Sequence, residues 1–258
     1  MQDHWAQLIW RGWRRVFPSI VVLLLRTAAH AQETCPVEIK LLLSPPTINS
    51  VLASLGFGKQ TSNQIYFFDT DHLSLRNQGV IVRVRQGAKN DLTVKVRLPG
   101  GDNDSENSKL RDQFGCEIDR TEAGANTSYS VGQSYEPRNV PNDGDELLSA
   151  LSSRQRELLS KAHVSIPWSQ VRRISGIRST TWTTPLESSS GKLTLEYWEF
   201  PGGTILELSA RSSASDWESK NADLHRIVKS KGLLLSPNQE TKTSTVLREL
   251  KSDTPPHD

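Results

Sequence analysis

Apolar and polar residues alternate with a period of two through much of the chain, and that period predicts strands. Residues 37–43, 64–69, 80–86, 92–98, 114–121, 171–184, 192–200 and 204–210 read this way, bounded by Pro, Gly and Asn signals. Pro201-Gly202-Gly203 joins the last two as a hairpin. Helical spacing replaces the alternation elsewhere. Ile48, Val51, Leu52 and Leu55 follow Ser44-Pro45-Pro46 and precede Gly56, a short helix with Pro in its first turn. Leu147, Leu148, Leu151, Leu158 and Leu159 predict one amphipathic helix over 145–163. Ser215-Asp216 and Gly232 bracket a helix running to about Lys231, and a last helix covers 239–250. Segments about 100–112 and 122–144 are poor in apolar residues and read as flexible insertions within a single domain, 32–258.

Sorting each strand by face adds chemistry to this outline. One face collects Glu38 and Lys40, Arg83 and Arg85, Lys95 and Arg97, Glu117 and Asp119, Glu196, Glu207 and Arg178. The other carries Val37 and Ile39, Val82 and Val84, Val94 and Val96, Ile118, Leu195 and Tyr197, Leu206 and Leu208. An open sheet with a solvated face would mix its charge signs for solubility. Here the signs are sorted by strand, two central strands offering only cations and two later ones mostly carboxylates. Charges in a dry core would cost several kcal/mol each. The pattern therefore predicts an α+β fold: an eight-stranded antiparallel closed β-barrel with a water-filled polar lumen, its apolar exterior covered by helices.

Four cations on neighbouring strands, Arg83, Arg85, Lys95 and Arg97, suit a ligand with several negative oxygens. Carboxylates on the facing wall would repel such a ligand unless a hard divalent ion such as Mg²⁺ bridged the two. The alternation alone leaves a second arrangement open, in which the walls pair with one another in salt bridges.

Composition narrows the classes. The 258 residues carry 31 Lys+Arg against 29 Asp+Glu, a formal charge of +2, so no overall field points to nucleic acid. Two Cys without a CxxC pair exclude a disulfide-rich scaffold and a thiolate zinc site. No Gly-x-Ser-x-Gly context supports a serine hydrolase. At the N-terminus, Arg11, Arg14 and Arg15 precede the apolar run Ile20–Leu25 and the small residues Ala29 and Ala31. That order predicts a signal peptide over 1–31, cleaved after Ala31, with an uncleaved anchor as the alternative. The apolar run is far shorter than the roughly 20 residues of a membrane span, so no stable span remains after cleavage. The expected destination is periplasmic or secreted. Cleavage leaves 27 basic and 28 acidic residues, so any basic patch arises from local sorting. Cys35 and Cys116 would meet an oxidising compartment, where they either form a disulfide or remain as buried thiols.

Several runs resemble the CYTH domain of the triphosphate tunnel metalloenzymes: Val37-Glu38-Ile39-Lys40, Tyr66-Phe67-Phe68-Asp69-Thr70, Leu75-Arg76 with Gly79 and Arg83-Val84-Arg85, and Leu92-Thr93-Val94-Lys95-Val96-Arg97. Cys116-Glu117-Ile118-Asp119, Arg178-Ser179-Thr180-Thr181-Trp182, Leu193-Thr194-Leu195-Glu196, Ile205-Leu206-Glu207-Leu208 and Thr241-Lys242 continue in order. The resemblance implies an eight-stranded tunnel that binds a triphosphate or polyphosphate-type anion. Arg83, Arg85, Lys95, Arg97, Arg178 and Lys242 would hold the phosphates. Glu38, Glu117, Asp119, Glu196 and Glu207 would hold Mg²⁺ or Mn²⁺, and Lys40 would assist water or neutralise charge. Two positions depart from the family pattern: Pro36 and Ser209 stand where it places carboxylates. The expectation is thus an exported metal-dependent phosphohydrolase, the alternative being a tunnel that binds polyphosphate or a phosphorylated ligand without cleaving it.

Overall fold

The computed structural model describes residues 35–44, 48–98, 109–136, 140–186 and 191–252. The segment expected to be a signal peptide, 1–31, lies outside the described residues, as does most of the segment about 100–112.

Among the described residues nine strands close into one barrel: β1 (Val37–Leu43), β2 (Lys59–Asp69), β3 (Val80–Gly87), β4 (Asp91–Leu98), β5 (Gly115–Thr121), β6 (Gly124–Ser134), β7 (Arg172–Pro185), β8 (Lys192–Phe200) and β9 (Gly203–Ser212). Their order around the wall is β1-β5-β6-β4-β3-β2-β7-β8-β9, and β9 pairs back with β1. The expected closed barrel is present, with one strand more than the alternation suggested and one parallel pair, β1 with β5. The additional strand is β6, which occupies the segment expected to be a flexible insertion. It pairs along its length with β4 and β5, so its low apolar content reflects its neighbours rather than disorder. Only Tyr129 and Val131 need face the exterior core, while Ser128 and Ser130 face inward with the polar lumen.

Helices α1 (Ile48–Leu55), α2 (Ser74–Asn77), α3 (Gly144–Ala150), α4 (Ser153–Lys161), α5 (Trp217–Ser230) and α6 (Lys242–Ser252) complete the described secondary structure, with one 3₁₀ turn at Trp168–Gln170. The single helix expected over 145–163 is two helices. Leu151 takes an extended conformation, and Ser152 then opens α4 with a capping box to Gln155.

Two exterior cores follow from the alternation. Val80, Val82, Val84, Leu92, Val94, Val96 and Tyr129 meet Leu147, Leu151, Leu158 and Leu159 of the α3–α4 region. On the opposite side Val37, Ile39, Leu41, Leu195, Leu206 and Leu208 meet Val51 of α1 and Leu224 and Val228 of α5. A third cluster lies inside the barrel at one end, where Val246 and Leu247 of α6 pack on Ile65, Phe67, Ile177 and Trp198. The C-terminal helix thus covers part of that end. Among the described residues no helix is long and apolar enough to cross a membrane.

Candidate functional site

Strand parity carries the charged residues inward. Glu38 and Lys40, Arg83 and Arg85, Lys95 and Arg97, Glu117, Glu196, Glu207 and Lys242 line a cavity of about 670 Å³. Eight cations face it against five carboxylates, with Asp119 fully buried behind them. The cations beyond those expected are Lys89 in the β3–β4 hairpin and Arg211 at the end of β9. Arg178 does not join them. A bulge in β7 opposite Ile65 and Phe67 brings Ile177 inward, so Ser179 and Thr181 follow it and Arg178 points out. There its side chain is 59% exposed and pairs with Glu199 at 3.1 Å.

Two carboxylate groupings organise the interior. In the first, Asp119 receives Lys40 Nζ at 2.5 Å on one oxygen and Lys95 Nζ at 3.2 Å on the other, with Arg97 at 3.6 Å. Lys40 also reaches Glu38 at 2.9 Å, Lys95 reaches Glu117 at 3.4 Å, and Arg211 closes on Glu117 at 2.8 Å. Burial alone would raise the Asp119 carboxyl, but Lys40, Lys95 and Arg97 hold it far below the usual carboxylate range. Burial likewise opposes the Lys40 charge, and Asp119, Glu38 and Glu207 outweigh it, keeping the ammonium protonated. Glu38 is held low against burial by Lys40, whereas burial and then the Glu38 charge push Glu117 up. In the second grouping Lys242, reaching in from the start of α6, pairs with Glu196 and lies 2.6 Å from Glu207. Glu196 also accepts from Trp198 Nε1 at 2.7 Å and Ser179 Oγ at 2.9 Å. Those donors and Lys242 overcome burial and bring Glu196 down to about 2. Glu207 shares the same lysine without the additional donors, and burial leaves it raised.

Arg83 differs from its neighbours. Arg85 makes a two-pronged pair with Asp91 across its hairpin. Arg83 has no ion pair or hydrogen bond among the described residues, and its Nε is buried without a partner. Burial and then the Arg85 charge lower it to about 10, so it stays charged at neutral pH. The second arrangement, in which the two walls pair with one another, holds for Lys40, Lys95, Arg97 and Lys242, and not for Arg83.

Local sequence explains why this wall is so well fixed. Asp69 accepts from the backbone of Thr70 at 2.7 Å, Leu75 at 2.8 Å and Arg76 at 3.0 Å, shaping the turn from β2 into α2. Gly79 then enters β3 with φ +77°, and its carbonyl accepts from Arg97 N at 2.8 Å. A Cβ at Gly79 would meet the Arg97 carbonyl at 2.2 Å, so only glycine lets the strand bearing Arg83 approach the strand bearing Arg97.

Oxygens of Glu38, Glu117 and Asp119 lie within 4.8 Å of one another. Three hard carboxylate donors at that spacing fit a divalent cation of the Mg²⁺ or Mn²⁺ kind. Glu196 and Glu207, expected in the same set, form the separate grouping on Lys242. Ser209 sits opposite Lys40 across β1–β9, and Pro36 lies at the cavity edge, so neither adds a carboxylate to the set. Cys35 and Cys116 form a disulfide that continues the β1–β5 register from the Val37–Ile118 pair, on the two strands that carry this cluster.

A closed barrel whose lumen sets a cationic wall against a carboxylate cluster defines a tunnel-type anion-binding protein. The model of the CYTH domain matches residues 36–242, most of the chain, and the protein belongs to that family. Two solved structures share the fold. An adenylyl cyclase candidate from Hippeastrum, with a dominant triphosphatase activity, matches at 18% identity and TM-score 0.57, over 82% of this chain and 94% of its own. An adenylate cyclase candidate from Bacillus halodurans matches at 18% identity and TM-score 0.53, over 81% of this chain and 96% of its own. No curated protein matches the chain in sequence.

Proposed function

We propose that the protein is an exported, metal-dependent phosphohydrolase that cleaves a phosphoanhydride bond of inorganic triphosphate, polyphosphate or an organic triphosphate. The observation that carries this reading is Arg83, a half-buried arginine whose Nε is buried without a partner, in a cavity where cations exceed carboxylates. An unpaired buried charge is costly, and a phosphate oxygen between Arg83, Arg85 and Lys95 would relieve that cost. Arg97 extends the same wall, and Lys242 adds an ammonium from the facing side. Glu38, Glu117 and Asp119 would hold the metal, which supplies charge neutralisation on the phosphate oxygens when bound. Lys40, kept protonated by its carboxylates, supplies fixed positive charge beside them. In the reaction water adds to a terminal phosphorus and gives up a proton to solvent, the bond to the bridging oxygen breaks, and the electron pair leaves on that oxygen, where the cationic wall stabilises it. The triphosphatase activity of the Hippeastrum protein supports the reaction class. Export is supported by the basic, apolar and small order of the first residues and by the Cys35–Cys116 disulfide, a bond that persists in oxidising compartments.

A second reading, binding without cleavage, is favoured by one observation. Glu38, Glu117, Asp119, Glu196 and Glu207, the five carboxylates of the two groupings, already hold lysine or arginine partners, while Pro36 and Ser209 leave the family's additional carboxylate positions empty of charge. Phosphate release from linear triphosphate separates the two. Hydrolysis that requires Mg²⁺ or Mn²⁺ supports the enzyme. Tight metal-independent binding with no release overturns it.

A further inference from the structure

A second cavity borders the lumen at the other end of the barrel. It measures about 700 Å³, shares Ile81, Arg97, Thr241 and Thr243 with the first and continues past them to Arg76, Gln78, Thr121 and Asn126. The first cavity reaches the end where β1 begins and β9 ends, at Pro36, Lys89 and Arg211. The second lies where β3 and β6 begin and β4 and β5 end, beside the first turn of α6. The two lie towards opposite ends of the same barrel and meet at Arg97.

Arg76 is the cation at the far end. Its backbone is held by Asp69, and its side chain lines the cavity with no hydrogen bond or ion pair among the described residues, its Nε buried without a partner. Arg97 reaches the junction and donates to Thr241 at 3.3 Å. The carboxylates described at this end are Glu240, which is paired with Arg248, and Asp69, which is buried, accepts three backbone N–H groups and feels the Arg76 charge. Cations whose side chains make no hydrogen bond or ion pair among the described residues therefore recur along the barrel axis, Arg83 within the lumen and Arg76 beyond Arg97. A compact monophosphate would leave one of them unmet. A linear polyanion lying along the tunnel would meet both.

We propose that the tunnel takes linear polyphosphate chains longer than triphosphate, and that Arg76 binds the far end of the chain in the second cavity. This rests on the reading of the lumen as a phosphate-chain site. Arg83 and its neighbours hold the phosphates that any chain presents, and Arg76 makes contact only with a chain long enough to pass Arg97. The specificity is then for length, set at a position remote from the carboxylate cluster.

Calorimetric titrations with linear triphosphate and with size-fractionated long-chain polyphosphate test this on the wild type, Arg76→Gln and Arg83→Gln. Arg76→Gln keeps the main-chain N–H that Asp69 accepts, and its melting temperature reports whether the turn survives. The preference for the long chain over triphosphate, compared per bound site, should fall about tenfold in Arg76→Gln, the size of one charge-assisted contact. In Arg83→Gln both affinities should fall together and the preference persist. Equal loss for both ligands in a folded Arg76→Gln, or no preference in the wild type, overturns the proposal. Binding of neither ligand to the wild type would instead refute the underlying reading of the lumen, and this inference with it.

Discussion

Replacing Arg83 separates a lumen built for a ligand from a lumen that is merely salt-bridged. Arg83→Met removes a half-buried cation whose side chain pairs with nothing among the described residues. Its fall from 12.5 to about 10, caused by burial and the Arg85 charge, corresponds to about 3 kcal/mol of opposition to the charged state. The ligand-free variant should therefore melt at or above the wild-type temperature, the gain being at most of that order. Lys95→Met should do the reverse, because Asp119 and Glu117 lose a partner at 3.2 and 3.4 Å. Breaking a buried pair costs about 3–5 kcal/mol. Ligand acts on both variants alike: each lost contact weakens triphosphate by about 1.5–3 kcal/mol. Triphosphate at about 100 times its dissociation constant should add about 2.7 kcal/mol to wild-type stability, a gain that shrinks sharply in Arg83→Met. Thermal melts over a triphosphate titration, with and without Mg²⁺, read both effects. An Arg83→Met protein that is as destabilised as Lys95→Met, or that keeps the full ligand shift, refutes the reasoning.

Other expectations follow from the two carboxylate groupings and the disulfide. Glu196 lies below its unfolded value of 4.5, so its contribution is present above pH 4.5 and is lost as pH falls towards 2, about 3 kcal/mol in all. Glu117 and Glu207, both raised, act in the opposite sense and at higher pH; acid melts should therefore show the low-pH limb shrinking in Glu196→Gln. A limb of unchanged size would remove Glu196 as its source. Reduction of Cys35–Cys116 opens a loop with a sequence separation of 81 and should cost about 4–5 kcal/mol by chain entropy, read as a drop in melting temperature with dithiothreitol that Cys35→Ser/Cys116→Ser reproduces. Pro36→Glu places a carboxylate at the cavity edge next to Glu38 and should tighten Mn²⁺ binding measured by electron paramagnetic resonance; no gain would place Pro36 outside the metal's reach.

Much of this site was legible from parity alone, because a closed barrel has one inside and a strand side chain has two directions to choose from. Glu38, Lys40, Arg83, Arg85, Lys95, Arg97, Glu117, Asp119, Glu196 and Glu207 all point inward as the alternation requires. Where parity failed, a local irregularity broke the count. The bulge in β7 turned Arg178 out, and Gly176, at φ +88° between Ile174 and Ile177, is the one sequence signal that marks the extra position. Arg211 escaped because the strand was ended at Ala210, although Glu207, Ser209 and Arg211 continue one face. Lys89 and Asp91 sit in or beside a hairpin turn, where period-two counting no longer applies. Strand β6 was unreadable for a different reason: both its faces are small or polar, and its exterior needs only Tyr129 and Val131. Pairings across the lumen, such as Lys242 with Glu196 and Glu207, depend on how α6 enters the barrel end, which no local pattern encodes.

The most direct test of the account is a crystal structure with Mn²⁺ and a non-hydrolysable imido-bridged triphosphate. Phosphate oxygens should lie in hydrogen-bond contact with Arg83 and along the wall of Arg85, Lys95 and Arg97, with the manganese anomalous peak among Glu38, Glu117 and Asp119. A lumen in which Arg83 gains no anionic partner, or a manganese peak away from those three carboxylates, would contradict it.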